Sequence, residues 1–127
     1  LLWLEIFVSK KITQTSVDKP TAQRILRSVP YNKGFHFFTD VGKYTGETAI
    51  DLFAFYEEVR VIEKESFSFH FSRHDFQFWV KDTLGDEQLA EQIDKIEADQ
   101  PLDDVRKELL GIVESRLTEL HSIAKDP

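Results

Sequence analysis

The residues of this chain best suited to chemistry stand close together: His70, Arg73, His74 and Asp75. They lie within Ser66–Val80, a stretch that also holds five of the eleven phenylalanines and one of the two tryptophans. Two histidines four positions apart on one helix put both imidazoles on one face, the arrangement of zinc-binding helices. Asp75 adjoins them, and His36 or His121 is a further nitrogen donor that the fold could bring near. Against a metal site, no glutamate follows His70 in the metalloprotease pattern, and the helix is expected to break at position 74. No metal is therefore assigned; the expectation is a partly buried, hydrogen-bonded His70 and an exposed His74. Arg73 and Asp75 bracket the break. They read either as an Arg-centred pocket for an anion or, more plainly, as a helix cap and an ion pair.

A second candidate is Gly42-Lys-Tyr-Thr-Gly-Glu47, which carries a lysine and a hydroxyl and is expected to run into a helix N-terminus. Backbone N–H groups there could hold a phosphate, but neither the Walker pattern nor a dinucleotide fingerprint is present. A turn followed by a cap is the plainer alternative. The candidate ligand-binding set is thus His70, Arg73, Asp75, Lys43 and Thr45, around an anionic or sugar-like molecule. No catalytic residue is assigned. Asp103 and Asp104, like Asp82, Asp86 and Glu87, suit the positive ends of helices, and no nucleophile, base and orienting acid assemble. No cofactor is implied.

These groups need elements to place them. Asp18 and Pro20 start a helix with Ala22, Ile25, Leu26 and Val29 on one face, ended by Pro30; Arg24 and Arg27 lie on its exposed side. Tyr31-Asn-Lys-Gly34 is a turn and Phe35–Phe38 a short strand. A helix over about 47–62 follows, capped by Thr45 or Gly46, its apolar face made of Ala49, Leu52, Phe53, Tyr56 and Val59. Residues 67–72 fit both a strand, by alternation of Phe67, Phe69 and Phe71, and a helix capped by Ser66; a short helix over 67–73 is preferred. A second helix starts with Asp75 as its N-cap, and Gly85 stops the chain before Asp86 caps a helix over about 87–98. The longest element, about 101–124, carries Leu102, Val105, Leu109, Ile112, Val113, Leu117, Leu120 and Ile123. The expected fold is mainly α, with four to five helices and a short β element near 35–38. It forms a single domain over 1–127: an N-terminal extension at 1–17, a helical core at about 18–98, and the C-terminal helix at about 101–124.

Composition narrows the classes. The chain has 127 residues, 41% of them hydrophobic and 31% charged, enough for one globular core. With no cysteine, disulfides and thiolate metal sites are excluded, which suits a reducing, cytoplasmic setting. The net charge of −7 is uneven: residues 86–127 carry twelve acids and five bases, while residues 1–85 balance. From Lys10 to Lys43 seven bases face only Asp18 and Asp40. Such a dipolar chain disfavours nonspecific nucleic-acid binding and suits basic and acidic segments lying side by side. Leu1–Val8 is apolar, but with Glu5 inside it and far too short to span a bilayer it reads as a buried terminal strand or helix end.

Several motifs occur in order: Phe-His-Phe-Phe at 35–38, Tyr-Thr-Gly-Glu-Thr-Ala at 44–49, Leu-Phe-Ala-Phe at 52–55, Phe-His-Phe at 69–71, Arg-His-Asp-Phe-Gln-Phe-Trp at 73–79 and Leu-Gly-Asp-Glu-Gln-Leu-Ala at 84–90. Together they resemble an archaeal family of small, mainly helical domains of unknown function, sometimes appended to larger proteins including glycosyltransferases. The resemblance spans roughly residues 22–120 and implies no activity. Where the family pattern has Arg-Gly-Asp, this chain has Arg73-His74-Asp75. A glycine there implies a left-handed helix stop and leaves His74 outside any shared role. The expected function is a non-catalytic interaction or regulatory module. It would act by helix-face association with a protein partner or as a homodimer, through Leu109, Ile112, Val113, Leu117 and Leu120. Small-ligand binding is the alternative.

Overall fold

Asp18 opens the first helix by accepting the Thr21 N–H at 2.9 Å, with proline in the first turn, as its position in the sequence suggests. In a computed structural model, residues 17–125 are described. The expectations for Leu1–Val8, and for the N-terminal extension up to residue 16, lie outside the described residues. The order is α1 (Lys19–Leu26), a single 3-10 turn (Tyr31–Lys33), β1 (Phe35–Asp40), β2 (Lys43–Ala49), α2 (Leu52–Val61), α3 (Lys64–Ser72), α4 (Asp75–Phe78), π-helical turns over Trp79–Leu84, α5 (Glu87–Asp94) and α6 (Leu102–Lys125). The chain is mainly helical, with six α-helices among the described residues rather than four or five. The ambiguous segment 67–72 is helical, and the break at His74 makes two helices of one apolar run.

The β element is larger than expected. β1 and β2 form an antiparallel hairpin pairing Phe35 with Ala49, His36 with Thr48, Phe38 with Tyr44 and Asp40 with Lys43. Residues 43–49 therefore do not begin a helix. Tyr44, Thr45 and Thr48 favour a strand, and Gly42 supplies the positive φ (75°) that the tight turn requires. Helix α2 starts instead at Asp51, whose carboxylate accepts the Ala54 N–H at 2.8 Å. The face it buries also differs from the expected one: Leu52, Phe55 and Val59 are buried, while Phe53 is exposed. Gly34 allows the hairpin to close against the preceding turn, because a Cβ there would lie 2.8 Å from the Ala49 carbonyl. Helix α5 stops at Asp94, short of the expected residue 98, although Ile96 still reaches the core from the turn beyond.

Helix α6 forms the spine against which α1, α2, α3 and α5 pack. Leu109, Val113, Leu117 and Leu120, expected as an interaction face, are core residues, and Ile112 is half-buried. An apolar stripe on an end helix looks the same in sequence whether it meets its own domain or a partner, and here its own domain covers it. The first helix packs on α6, but Arg27, just past its end, serves carbonyls, donating to Thr83 at 3.0 Å and to Arg24 at 2.7 Å. The charge that matters inside is Arg116 on α6. It grips Asp86 with two bonds, Nε to Oδ2 at 2.8 Å and Nη2 to Oδ1 at 2.9 Å, and its Nη1 reaches Glu119 at 2.7 Å. Asp86 also caps α5 through the Leu89 N–H, so one buried carboxylate fixes both the start of α5 and its seat on α6.

Removing that carboxylate costs a cap and a bidentate ion pair at once. Asp86→Ala is expected to destabilise the fold by about 3 kcal/mol or more in urea unfolding. Glu108→Ala, on the exposed side of α6, should stay within about 0.5 kcal/mol of the native chain.

Candidate functional site

The site is built where α3 breaks. Helix α3 ends at Ser72, and His74 turns the chain with a left-handed backbone (φ 63°, ψ 24°), the conformation a glycine takes at a helix stop. Arg73 and Asp75 therefore flank the corner, and their side chains pair across it at 3.1 Å. Asp75 is not the N-cap expected of it. His74 occupies that position, and the Asp75 carboxylate turns back to accept His70 Nδ1 at 2.9 Å and Arg73 Nε at 3.1 Å on the same oxygen, Oδ2.

His70 is the joint between this corner and the hairpin. The backbone N–H of Phe38 on β1 donates to His70 Nε2 at 2.8 Å. An amide N–H can only donate, so Nε2 is the bare nitrogen and Nδ1 carries the proton it gives to Asp75. The imidazole is 3% exposed and ringed by Phe35, Phe37, Phe69 and Phe76, with centroids 4.8 to 5.9 Å away. Burial pushes its pKa below the ordinary 6.5; Asp75 pulls it back and Arg73 pushes it further down.

Between the hairpin and this corner lies a cleft of about 320 Å³, lined by Gly34, Phe35, His36, Phe38, Asp40, Val41, Gly42, Phe69, His70, Arg73, Asp75 and Trp79. Its walls are aromatic and its polar groups few. Trp79 is held by its indole N–H on the Lys33 carbonyl at 2.9 Å. His36 is held by Thr48 Oγ1 at 2.7 Å, itself 2.6 Å from the Tyr44 hydroxyl, which lies 2.8 Å from that of Tyr31. The Arg73 guanidinium rests over Phe69, 4.7 Å from the ring centre. Among the described residues its only hydrogen bond runs from Nε to Asp75, so the Nη edge is unengaged, as is Asp75 Oδ1.

Three of the five candidate ligand residues, His70, Arg73 and Asp75, thus meet in one cleft. Lys43 and Thr45 do not join them: both are exposed on β2, and Thr45 Oγ1 only accepts the Glu47 N–H. The phosphate cradle fails for the same reason, since Gly42–Gly46 runs into a strand and not into a helix N-terminus. The two histidines of the focal stretch part company. His74 is exposed and faces Gln77 and Asp94, while both nitrogens of His70 are engaged. Among the described residues no group of three or more metal-ligating side chains forms, and no helix is long and apolar enough to cross a membrane. What sequence reading missed is the contribution of β1: His36, Phe38 and Asp40 as cleft lining. The alternation of His36 and Phe38 with Phe35 and Phe37 is the signal that set them apart from the core face.

Residues 32–127 match the model of a family of unknown function, DUF5752, and with most of its length matched the chain belongs to that family. No curated protein and no solved structure matches the chain.

The His70 joint gives a pH dependence with a definite sign. In the unfolded chain the imidazole takes its proton near 6.5, while in the folded state it does so only at lower pH. Below about pH 6.5 the unfolded state binds more protons, so stability falls as pH falls, until the folded imidazole itself titrates. Urea unfolding between pH 7.5 and 5 should show this loss, with a slope from this group of at most about 1.4 kcal/mol per pH unit. His70→Gln should be less stable at pH 7.5 and show a flatter profile over that range.

Proposed function

We propose that this domain is a non-catalytic small-ligand-binding module whose site is the cleft between β1 and the α3–α4 corner. The observation that carries this reading is the unengaged edge of Arg73. The Arg73 side chain is about half exposed, with Nε on Asp75 and its guanidinium over Phe69, so its Nη edge is open to a ligand entering the cleft. Small-ligand sites are concave, mostly apolar and furnished with a few placed polar groups, and the lining of this cleft has that character.

Two further observations favour binding over catalysis and over helix-face association. The Nε2 lone pair of His70 is committed to the Phe38 N–H and its proton to Asp75, which leaves this imidazole no base to offer a substrate. The stripe on α6 that self-association would use is packed inside the domain. A ligand-binding module of this size would serve as a sensing or regulatory unit, since a ligand that binds only the folded state stabilises it by mass action.

A thermal-shift screen of a broad library of small anions, zwitterions and sugars is the direct test. At least one compound is expected to raise the melting temperature in a concentration-dependent manner. Arg73→Gln should keep the fold and cut that compound's affinity at least tenfold. Silence across the whole library, or responses indifferent to Arg73→Gln, would sink the proposal.

A further inference from the structure

We infer that the ligand class of this cleft is a free α-amino acid with an aromatic or large apolar side chain, an inference that rests on the ligand-binding reading above. The Arg73–Asp75 pair supplies an open donor edge beside an open acceptor, and Asp40 and His36 also line the cleft. Arg73 keeps Nη1 and Nη2 open, a planar fork that matches a carboxylate. Asp75 keeps Oδ1 open while its Oδ2 serves Arg73 and His70. Because the same Asp75 carboxylate binds the Nε edge of Arg73 at 3.1 Å, the open donor and open acceptor are neighbours. An α-carboxylate and an α-ammonium, attached to one carbon, call for such an adjacent donor and acceptor.

Charge and shape favour the zwitterion over the other ligands considered. The charged groups lining the cleft are Arg73, Asp75 and Asp40, one cation against two carboxylates. A phosphate dianion would meet a net negative site, with no second cation and no helix N-terminus of useful length to receive it. A neutral sugar would bring several hydroxyls to a lining dominated by Phe35, Phe38, Phe69 and Trp79, where burying them without partners is costly. An amino acid places one positive and one negative group on Asp75 and Arg73 and sends its side chain among the rings. The volume of about 320 Å³ accommodates an organic molecule of about a dozen heavy atoms, the size of phenylalanine.

The test is titration calorimetry of the whole chain with L-phenylalanine and L-leucine beside two truncated probes, 3-phenylpropanoate and phenethylamine, and with inorganic phosphate and glucose. The expected result is saturable binding of an amino acid, at least tenfold tighter than either truncated probe. Arg73→Gln should reduce it at least tenfold while Lys43→Gln leaves it unchanged. 3-Phenylpropanoate binding as tightly as phenylalanine would remove the ammonium from the recognition and overturn the inference. Phosphate or glucose binding in an Arg73-dependent way, with no amino acid bound, would overturn it too while leaving the ligand-binding reading intact. No heat from any probe, together with an Arg73-dependent response to some other library compound, overturns the amino-acid assignment alone; no response to anything overturns both.

Discussion

A hairpin of two strands cannot secure itself by strand pairing alone, and in this molecule the hydrogen bond that ties it to the helices runs through a single imidazole. His70 accepts the backbone N–H of Phe38 with one nitrogen and donates to Asp75 with the other. Making the two bonds together requires the neutral ring in one tautomer, because only a bare Nε2 can accept the Phe38 N–H. Protonation would set an N–H against the Phe38 N–H and bring a charge among phenylalanine rings, which is why burial holds the pKa down. The neutral ring is thus one of the ties between β1 and the α3–α4 corner.

The aromatic cluster has two duties that a core of aliphatic residues would separate. Phe35 touches Phe37, Phe55, Phe76, Trp79 and His70, and its buried ring anchors the hairpin in the core. Phe35 and Trp79 also line the cleft, so the rings that fill the interior form the back of the site. The chain has no methionine, and the part of its core behind the cleft is built of rings that hold their shape. A cleft built on such rings keeps its form without a ligand, and a preorganised site loses less on binding. The left-handed backbone of His74 belongs to the same economy: without that sharp corner Arg73 and Asp75 would not turn toward one another.

Sequence alone determined what depends on neighbours along the chain. The caps at Asp18 and Asp86, the left-handed stop at Gly85 and the span of α6 all follow from residue types whose preferences act over three or four positions. Helix was rightly preferred over strand at 67–72, and three of the five candidate ligand residues came from one short stretch that a local reading could isolate. Tertiary structure decided what depends on partners far along the chain. Whether 43–49 was strand or helix turned on Phe35 to Asp40 being available to pair with it. Whether the stripe of α6 was core or interface turned on α1, α2, α3 and α5 arriving to cover it. Asp86, which Arg116 grips with two bonds, and Phe38, which bonds His70 Nε2, lie thirty or more positions from their partners, where no local spacing rule reaches. Caps and stops are settled by hydrogen bonds within one turn of helix; clefts and buried ion pairs are settled only when separate elements meet, and no residue type announces its distant partner in advance.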